Sequence, residues 1–156
     1  IPILVMGEKN MVVAASGDGI LVSDKERSGY MKPYVEKIAT EAKYIEKSWG
    51  SYHVLDAGEG YRLLKVKLTA GRRTSYHCHE LRDESITILS GNGKTVIDGM
   101  EQIVRPGDIV TMAAGCKHTL IAETEIIALE TQVGEEITFD DKKKFPLDSR
   151  FVEGRI

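Results

Sequence analysis

Only two cysteines, Cys78 and Cys116, occur among the 156 residues. No disulfide framework can therefore hold the chain together, and a reducing, cytoplasmic setting is expected. The two lie beside the two halves of a histidine cluster, so an oxidised bridge between them is compatible with the sequence but not demanded by it. Long apolar runs are also missing. Nothing approaches the roughly 20 residues needed to span a bilayer, and the apolar opening Ile1 to Met6 is short and lacks the basic start and cleavage site of a signal peptide. No membrane partner is expected. A first residue of isoleucine rather than methionine is read as processing or as a piece of something longer. Basic stripes interleaved with aromatics are absent and the net charge is −3, which excludes nucleic acid as the expected partner. The one lysine run, Lys142-Lys143-Lys144, follows Asp140-Asp141 and is read as a solvated tail.

With 42% hydrophobic and 29% charged residues, the chain has the composition of a soluble globular domain large enough to bury a core. Its first third is mixed. Met11 to Ala15 and Ile20 to Ser23 flank Gly17-Asp18-Gly19 and read as a small hairpin. Ser23 with Glu26 makes a capping box. Helical spacing of Tyr30, Tyr34 and Ile38 predicts a short amphipathic helix that Pro33 must begin or interrupt, with its aromatic stripe as packing surface. From Tyr44 the pattern changes to many short strands: 51–56, 61–68, 86–89, 95–98, 102–104, 109–112, 118–122 and 126–131. That pattern favours a barrel or sandwich. The expected organisation is an appendage over 1–43, a barrel over 44–140 and a C-terminal tail over 141–156.

Three of the four histidines fall in two short segments. The first reads Gly71, five residues, His77-Cys78-His79, four residues, Glu84, six residues, Gly91. The second reads Gly107, seven residues, Gly115, two residues, His118. Alternation along a strand puts residues i and i+2 on one face, so His77 and His79 can aim at one point while Cys78 faces away. Three imidazoles and a carboxylate suit a borderline divalent ion. Zinc is the first expectation, with iron, cobalt, nickel or manganese compatible, and the predicted ligands are His77, His79, Glu84 and His118.

These spacings resemble the two motifs of the cupin superfamily, with Ala113 and Ala122 where cupins often carry proline and asparagine. The resemblance implies a mainly β fold, a double-stranded β-helix or jelly-roll barrel holding a metal in its mouth, here with an N-terminal hairpin-plus-helix appendage. Lys47-Ser-Trp49-Gly50-Ser-Tyr52 further resembles the Arg-Pro-Trp-Gly-x-Tyr opening of the C-terminal cupin in bifunctional mannose-1-phosphate guanylyltransferase/mannose-6-phosphate isomerase of type II. The segment Asp18 to Ser28 resembles the stretch C-terminal to the nucleotidyltransferase region of those enzymes. No glycine- and arginine-rich nucleotide loop occurs, so this chain alone is not expected to make GDP-mannose.

The resemblance implies interconversion of mannose 6-phosphate and fructose 6-phosphate through an enediol, with a sugar phosphate as partner and a homodimer paired through edge strands. Type II isomerases carry Gln-x-His-x-His-Arg-x-Glu-His-Trp at this position. Alignment places Arg82 and Glu84 on the family's arginine and glutamate and assigns them catalytic roles. Ser85 and Ile86 stand in place of His-Trp. Arg82 would hold the phosphate or developing negative charge; His53, Tyr76, Glu80 and Lys117 are the general-base candidates. Trp49 and Tyr52 either stack on a sugar or plug the barrel's end. The alternative reading is a non-catalytic metal-binding cupin that binds a sugar phosphate or nucleotide sugar and regulates or oligomerises a nucleotidyltransferase. Iron-dependent dioxygenase chemistry is a third reading.

Overall fold

The computed structural model describes residues 2–16, 19–38, 43–138 and 140–151. The chain divides into two units, Ile1–Ile45 and Glu46–Ile156. In the first, β1 (Met11–Ser16) and β2 (Gly19–Asp24) pair antiparallel from Met11 opposite Asp24 to Ser16 opposite Gly19. Gly17-Asp18 of the expected turn lie outside the described residues. The capping box does not form. Ser23 Oγ donates to the Asp24 carbonyl, and Asp24 Oδ1 accepts the Glu26 amide, because an aspartate offers its own backbone a tighter turn. A 3-10 turn (Ser28–Tyr30) leads into α1 (Lys32–Ile38). Pro33 sits in the first turn, where its missing N–H leaves no helical bond unmade. Tyr30 and Tyr34, expected as packing surface, are 77% and 70% exposed.

The second unit is built from strands. After β3 (Tyr44–Lys47), which runs across the division between units, come β4 (Gly50–Gly58), β5 (Tyr61–Leu68), β6 (His77–Cys78), β7 (Arg82–Ser90), β8 (Gly93–Ile97), β9 (Met100–Val104), β10 (Ile109–Met112), β11 (His118–Ala122), β12 (Ile126–Gly134) and β13 (Lys143–Lys144). The larger sheet runs β10-β7-β12-β5-β4-β3 and the smaller β13-β6-β11-β8-β9. All registered pairs are antiparallel, and the sheets form the jelly-roll barrel expected from the spacing. Along β7, Arg82, Glu84, Ile86 and Ile88 are buried while Asp83 and Leu89 are exposed, so the inward face changes from polar to apolar along a single strand.

The apolar end is a close-packed cluster of Leu68, Ile86, Ile88, Val104, Val110, Leu120 and Ile126 with their neighbours. Gly91 makes this closure possible. Its φ is +84°, and a Cβ there would lie 2.0 Å from the Glu125 carbonyl oxygen, a position only glycine fills without strain. Strands β8 and β9 join through Asp98 and Gly99, both at positive φ, the two-residue turn whose twist matches a hairpin.

The lysine run is solvent-exposed, as expected, but it is not a loose tail. Lys143 pairs with Cys78 and Lys144 with His77 across β13–β6. Beyond them Phe151 packs with Tyr76 and Val96, joined by Phe145 and Leu147. Alternation turns Lys143 outward to Glu80, 2.6 Å away, and its neighbours toward the barrel interior.

Leu68→Ala, which empties a fully buried position, is expected to cost about 2–5 kcal/mol. Met100→Ala, at a residue 72% exposed, should stay within about 0.5 kcal/mol. Chemical denaturation of the two variants checks the contrast.

Candidate metal centre

His77 and His118 face each other across β6 and β11, with ring centroids 4.4 Å apart. His79 follows β6 with its ring 4.8 Å from His77, and Glu84 comes from β7 of the other sheet. The four residues are buried, and one ligand atom from each falls within 4.8 Å of the others. The structure thus brings together the four residues expected as ligands.

The imidazoles are oriented from behind. His77 Nδ1 lies 2.7 Å from the Ser75 carbonyl and His118 Nδ1 lies 3.0 Å from that of Cys116. His79 Nδ1 bonds the Asp141 carbonyl. A carbonyl only accepts, so each Nδ1 carries a proton and each Nε2 is the nitrogen turned inward, the one that would give its lone pair to an ion when it holds no proton. This arrangement holds metal-binding histidines in one tautomer. Burial, together with the charge of Lys142 and the nearby His118, lowers the His77 imidazole to about 3. Burial also lowers His79. Neutral imidazoles are the ligand form.

Burial pushes the Glu84 carboxyl upward, but the His118 hydrogen bond, the charges of His79 and His118, and the Arg82 hydrogen bond outweigh it and hold the group at about 2. Its two oxygens are divided. Oε1 accepts Arg82 Nε at 2.9 Å and Gln132 Nε2 at 3.0 Å; Oε2 lies 3.0 Å from His118 Nε2. Three inward imidazole nitrogens and a carboxylate converging in a buried space form a donor set that a divalent cation fits once the nitrogens are unprotonated.

Arg82 occupies a different place from the one expected. Its Nη1 donates to the Thr138 carbonyl at 2.9 Å and its Nη2 lies 3.0 Å from His79 Nε2. It holds the ligands rather than reaching out for a phosphate. The candidate bases also fall elsewhere. Tyr76 belongs to the cluster with Val96 and Phe151, Glu80 pairs with Lys143 on the surface, Lys117 lies over the Phe145 ring, and His53 is absent from the cavity wall. Cys78 and Cys116 are both free.

The cluster lies in a cavity of ≈ 760 Å³. Lys47, Arg62, Arg72, Arg73, Lys142 and Lys144 join Arg82 on its wall, against the two carboxylates of Glu84 and Glu130. Trp49 packs against the core and lines the cavity with Tyr52, so it serves the wall and the barrel's end together. Sequence reasoning missed Glu130, Gln132 and Lys142. Glu130 stands opposite Leu64 on one side and Ile86 on the other. Burial in that row, reinforced by the negative charge of Glu84, raises its carboxyl to about 7. Lys142 retains solvent contact at the cavity mouth, yet burial lowers its ammonium.

Comparison with known proteins accords with this architecture. Residues 64–130 match the family model described as "Cupin domain". The chain is similar to the mannose-1-phosphate guanylyltransferase ManC of Salmonella typhimurium, 24% identical over 149 residues that cover 90% of this chain and 31% of that protein. It thus spans about a third of the length of the curated relatives it matches, in their C-terminal cupin region. Among solved structures, KdgF from Halomonas superposes with a TM-score of 0.56 at 16% identity, covering 63% of this chain and 93% of that one. An RmlC-like cupin from Shewanella frigidimarina gives a TM-score of 0.56 at 15% identity, covering 62% and 86%. These likenesses establish the fold. No described helix is long and apolar enough to cross a membrane.

His77→Ala combined with His118→Ala should abolish tight binding of a divalent ion, measured by elemental analysis after dialysis. Undiminished metal in that variant would place the ion elsewhere. Glu130 generates a pH-dependent prediction. Its folded value lies above its ordinary one, so the folded state keeps a proton that the unfolded chain has released. Stability is therefore lost as pH rises from the ordinary carboxylate range through about 7. Glu130→Gln should be more stable than the parent by about 1–3 kcal/mol at pH 8 and by much less at pH 5, read from thermal unfolding at both pH values.

Proposed function

We propose that this chain, which carries a cupin domain, is a metal-dependent sugar-phosphate isomerase that interconverts mannose 6-phosphate and fructose 6-phosphate. The observation that carries the reading is the cavity itself: a four-residue ligand cluster, a wall of cationic side chains and one carboxyl near neutrality stand together in one enclosure. The kinship with guanylyltransferases that act on a mannose phosphate supports the choice of sugar. Zinc is the first choice of ion from the three-imidazole, one-carboxylate set, with iron, cobalt, nickel or manganese as alternatives.

A divalent ion held by His77, His79, His118 and Glu84 would polarise the sugar's C1 and C2 oxygens. The proton then has to be moved by the chain. Glu130 suits that role, because a carboxyl poised near 7 is available both as base and as acid at neutral pH. It would take the proton from C2 and return it to C1 on the same face, while the hydroxyl proton on the C2 oxygen passes to the C1 oxygen, so that the C1 carbonyl becomes a hydroxyl and the C2 hydroxyl a carbonyl. Arg72, Arg73 and Lys144 on the wall suit the phosphate. Arg82 acts through Glu84, as a positioning residue. In the cell we place the chain in the cytoplasm. We expect a homodimer formed through the outer strands β9 and β10, where Met100, Ile103 and Ile109 are exposed.

One observation favours a second reading. Ile86 lines the cavity where type II isomerases carry tryptophan, which suits a cupin that binds a sugar phosphate or nucleotide sugar without turning it over. A coupled assay for fructose 6-phosphate formed from mannose 6-phosphate, with zinc, cobalt, manganese and iron supplied in turn, separates the two. Turnover is expected, with kcat falling about 10²- to 10⁴-fold in Glu130→Gln. Binding of mannose 6-phosphate in calorimetry with no turnover on any ion would establish the second reading instead.

A further inference from the structure

Gln132 is 4% exposed and lies on the inner face of β12, two residues from Glu130. Across the sheet it stands opposite Glu84 on β7 and Arg62 on β5. Its amide nitrogen serves two acceptors, Glu84 Oε1 at 3.0 Å and Glu130 Oε1 at 2.7 Å. Both Nε2 protons are therefore used on carboxylates, and the orientation of the amide is fixed, since turning its oxygen toward them would set acceptor against acceptor. The consequence is at the other end of the group. Gln132 Oε1 is buried, has no hydrogen-bond partner among the described residues, and belongs to a side chain that lines the cavity. A buried acceptor left unpaired costs free energy, and here the cost is imposed by the two carboxylates the amide must serve.

We propose that Gln132 is a positioning and specificity residue: its amide nitrogen ties the metal-ligand carboxylate Glu84 to Glu130 at a fixed separation, and its amide oxygen receives a hydroxyl of the bound ligand. The inference deepens the isomerase reading and rests on it for the ligand's identity, but the role of the nitrogen stands without it. With Gln132 and Arg82 both on Oε1, Glu84 offers Oε2 to an ion and cannot rotate. The oxygen gives the cavity an acceptor that a hydroxyl on the sugar part of the ligand can satisfy. A site built to pair a ligand hydroxyl discriminates strongly against ligands lacking it.

The test uses Gln132→Met, close in volume to glutamine, with Gln132→Asn as a second variant that keeps the amide but is one methylene too short to reach both carboxylates. Zinc affinity is measured by chelator competition, and binding of mannose 6-phosphate and of inorganic phosphate to the zinc-loaded chain by calorimetry. Zinc should bind about 10- to 100-fold more weakly in both variants, the usual effect of removing a partner behind a ligand. Mannose 6-phosphate should weaken about tenfold more than inorganic phosphate does. Zinc affinity unchanged in both variants overturns the role of the nitrogen. Equal weakening of sugar phosphate and inorganic phosphate overturns the role of the oxygen. If the parent binds inorganic phosphate but not mannose 6-phosphate, the isomerase reading and the oxygen's role both fall, and the zinc measurement still decides the nitrogen's.

Discussion

A carboxylate with a side chain only 3% exposed is costly in a protein interior unless several donors and cations compensate it. Much of this barrel is arranged around meeting that condition at Glu84. Strand β7 delivers Glu84 inward and, two residues earlier on the same face, the guanidinium that bonds it. Strand β12 delivers Gln132 from the directly opposed position, and β11 delivers His118 from the other sheet. The stretch after β12 fastens the arrangement from outside. The Thr138 carbonyl accepts Arg82 Nη1, the Asp141 carbonyl accepts His79 Nδ1, and the Asp141 carboxylate accepts the amides of Glu80 and Leu81. Segments far apart in sequence thus depend on one buried negative charge.

That dependence also explains the cavity's electrostatics. The chain as a whole carries a net charge of −3, yet the charged side chains that line the cavity are mostly cations. Charge is sorted between interior and exterior, a pattern suited to an anionic small ligand rather than to nonspecific association. Glu130 is the exception on the wall, and its position in the sheet accounts for it. The row of β7, β12 and β5 containing Glu84, Gln132 and Arg62 is polar, whereas the next row places Glu130 between Ile86 and Leu64. One step along the strand moves a carboxyl from a saturated donor network to an apolar bed. Two carboxyls of one cavity are thereby held on opposite sides of their ordinary range, a separation characteristic of acid–base assignments.

The buried cluster of three histidines and a glutamate was legible because its spacing is local: His77 and His79 two apart, Glu84 five further on, and His118 behind its own glycine turn. The strands from β4 to β12 were legible for the same reason, through period-two alternation and turn residues. Glu130 and Gln132 were not, because what distinguishes them is the pairing of β12 with both β7 and β5, and no stretch of sequence encodes which residue faces which across two strands. The lysine run misled for a related reason. Its charge is balanced locally by Asp140-Asp141, yet β13 pairs with β6 and carries Lys142 and Lys144 to the cavity. The four proposed bases lie off the cavity wall because nearness to a motif in sequence does not say which way a side chain turns, whether on a strand, as for His53, or in the turns that carry Tyr76, Glu80 and Lys117.

Strand pairing also alters the weight of Ser85-Ile86. Counted along the sequence, Ser85-Ile86 stands where the isomerase motif has His-Trp. Counted across the sheet, only one member of that pair concerns the cavity. Glu84 and Ile86 share the buried face of β7, while Ser85 lies on the other face, paired with Thr111 of β10 and Thr131 of β12, and does not line the cavity. A histidine at 85 would point away from the ligand cluster in this barrel, so its absence removes no group from the chemistry. The substitution that counts is Ile86, an aliphatic side chain against which Glu130 is desolvated. A larger aromatic at that position would fill space that Trp49 and Tyr52 already line from β4 and the turn before it. Aromatic surface and apolar bed are thus both supplied, from different strands, and the departure at Ile86 falls on the shape of the cavity rather than on the buried His/Glu cluster.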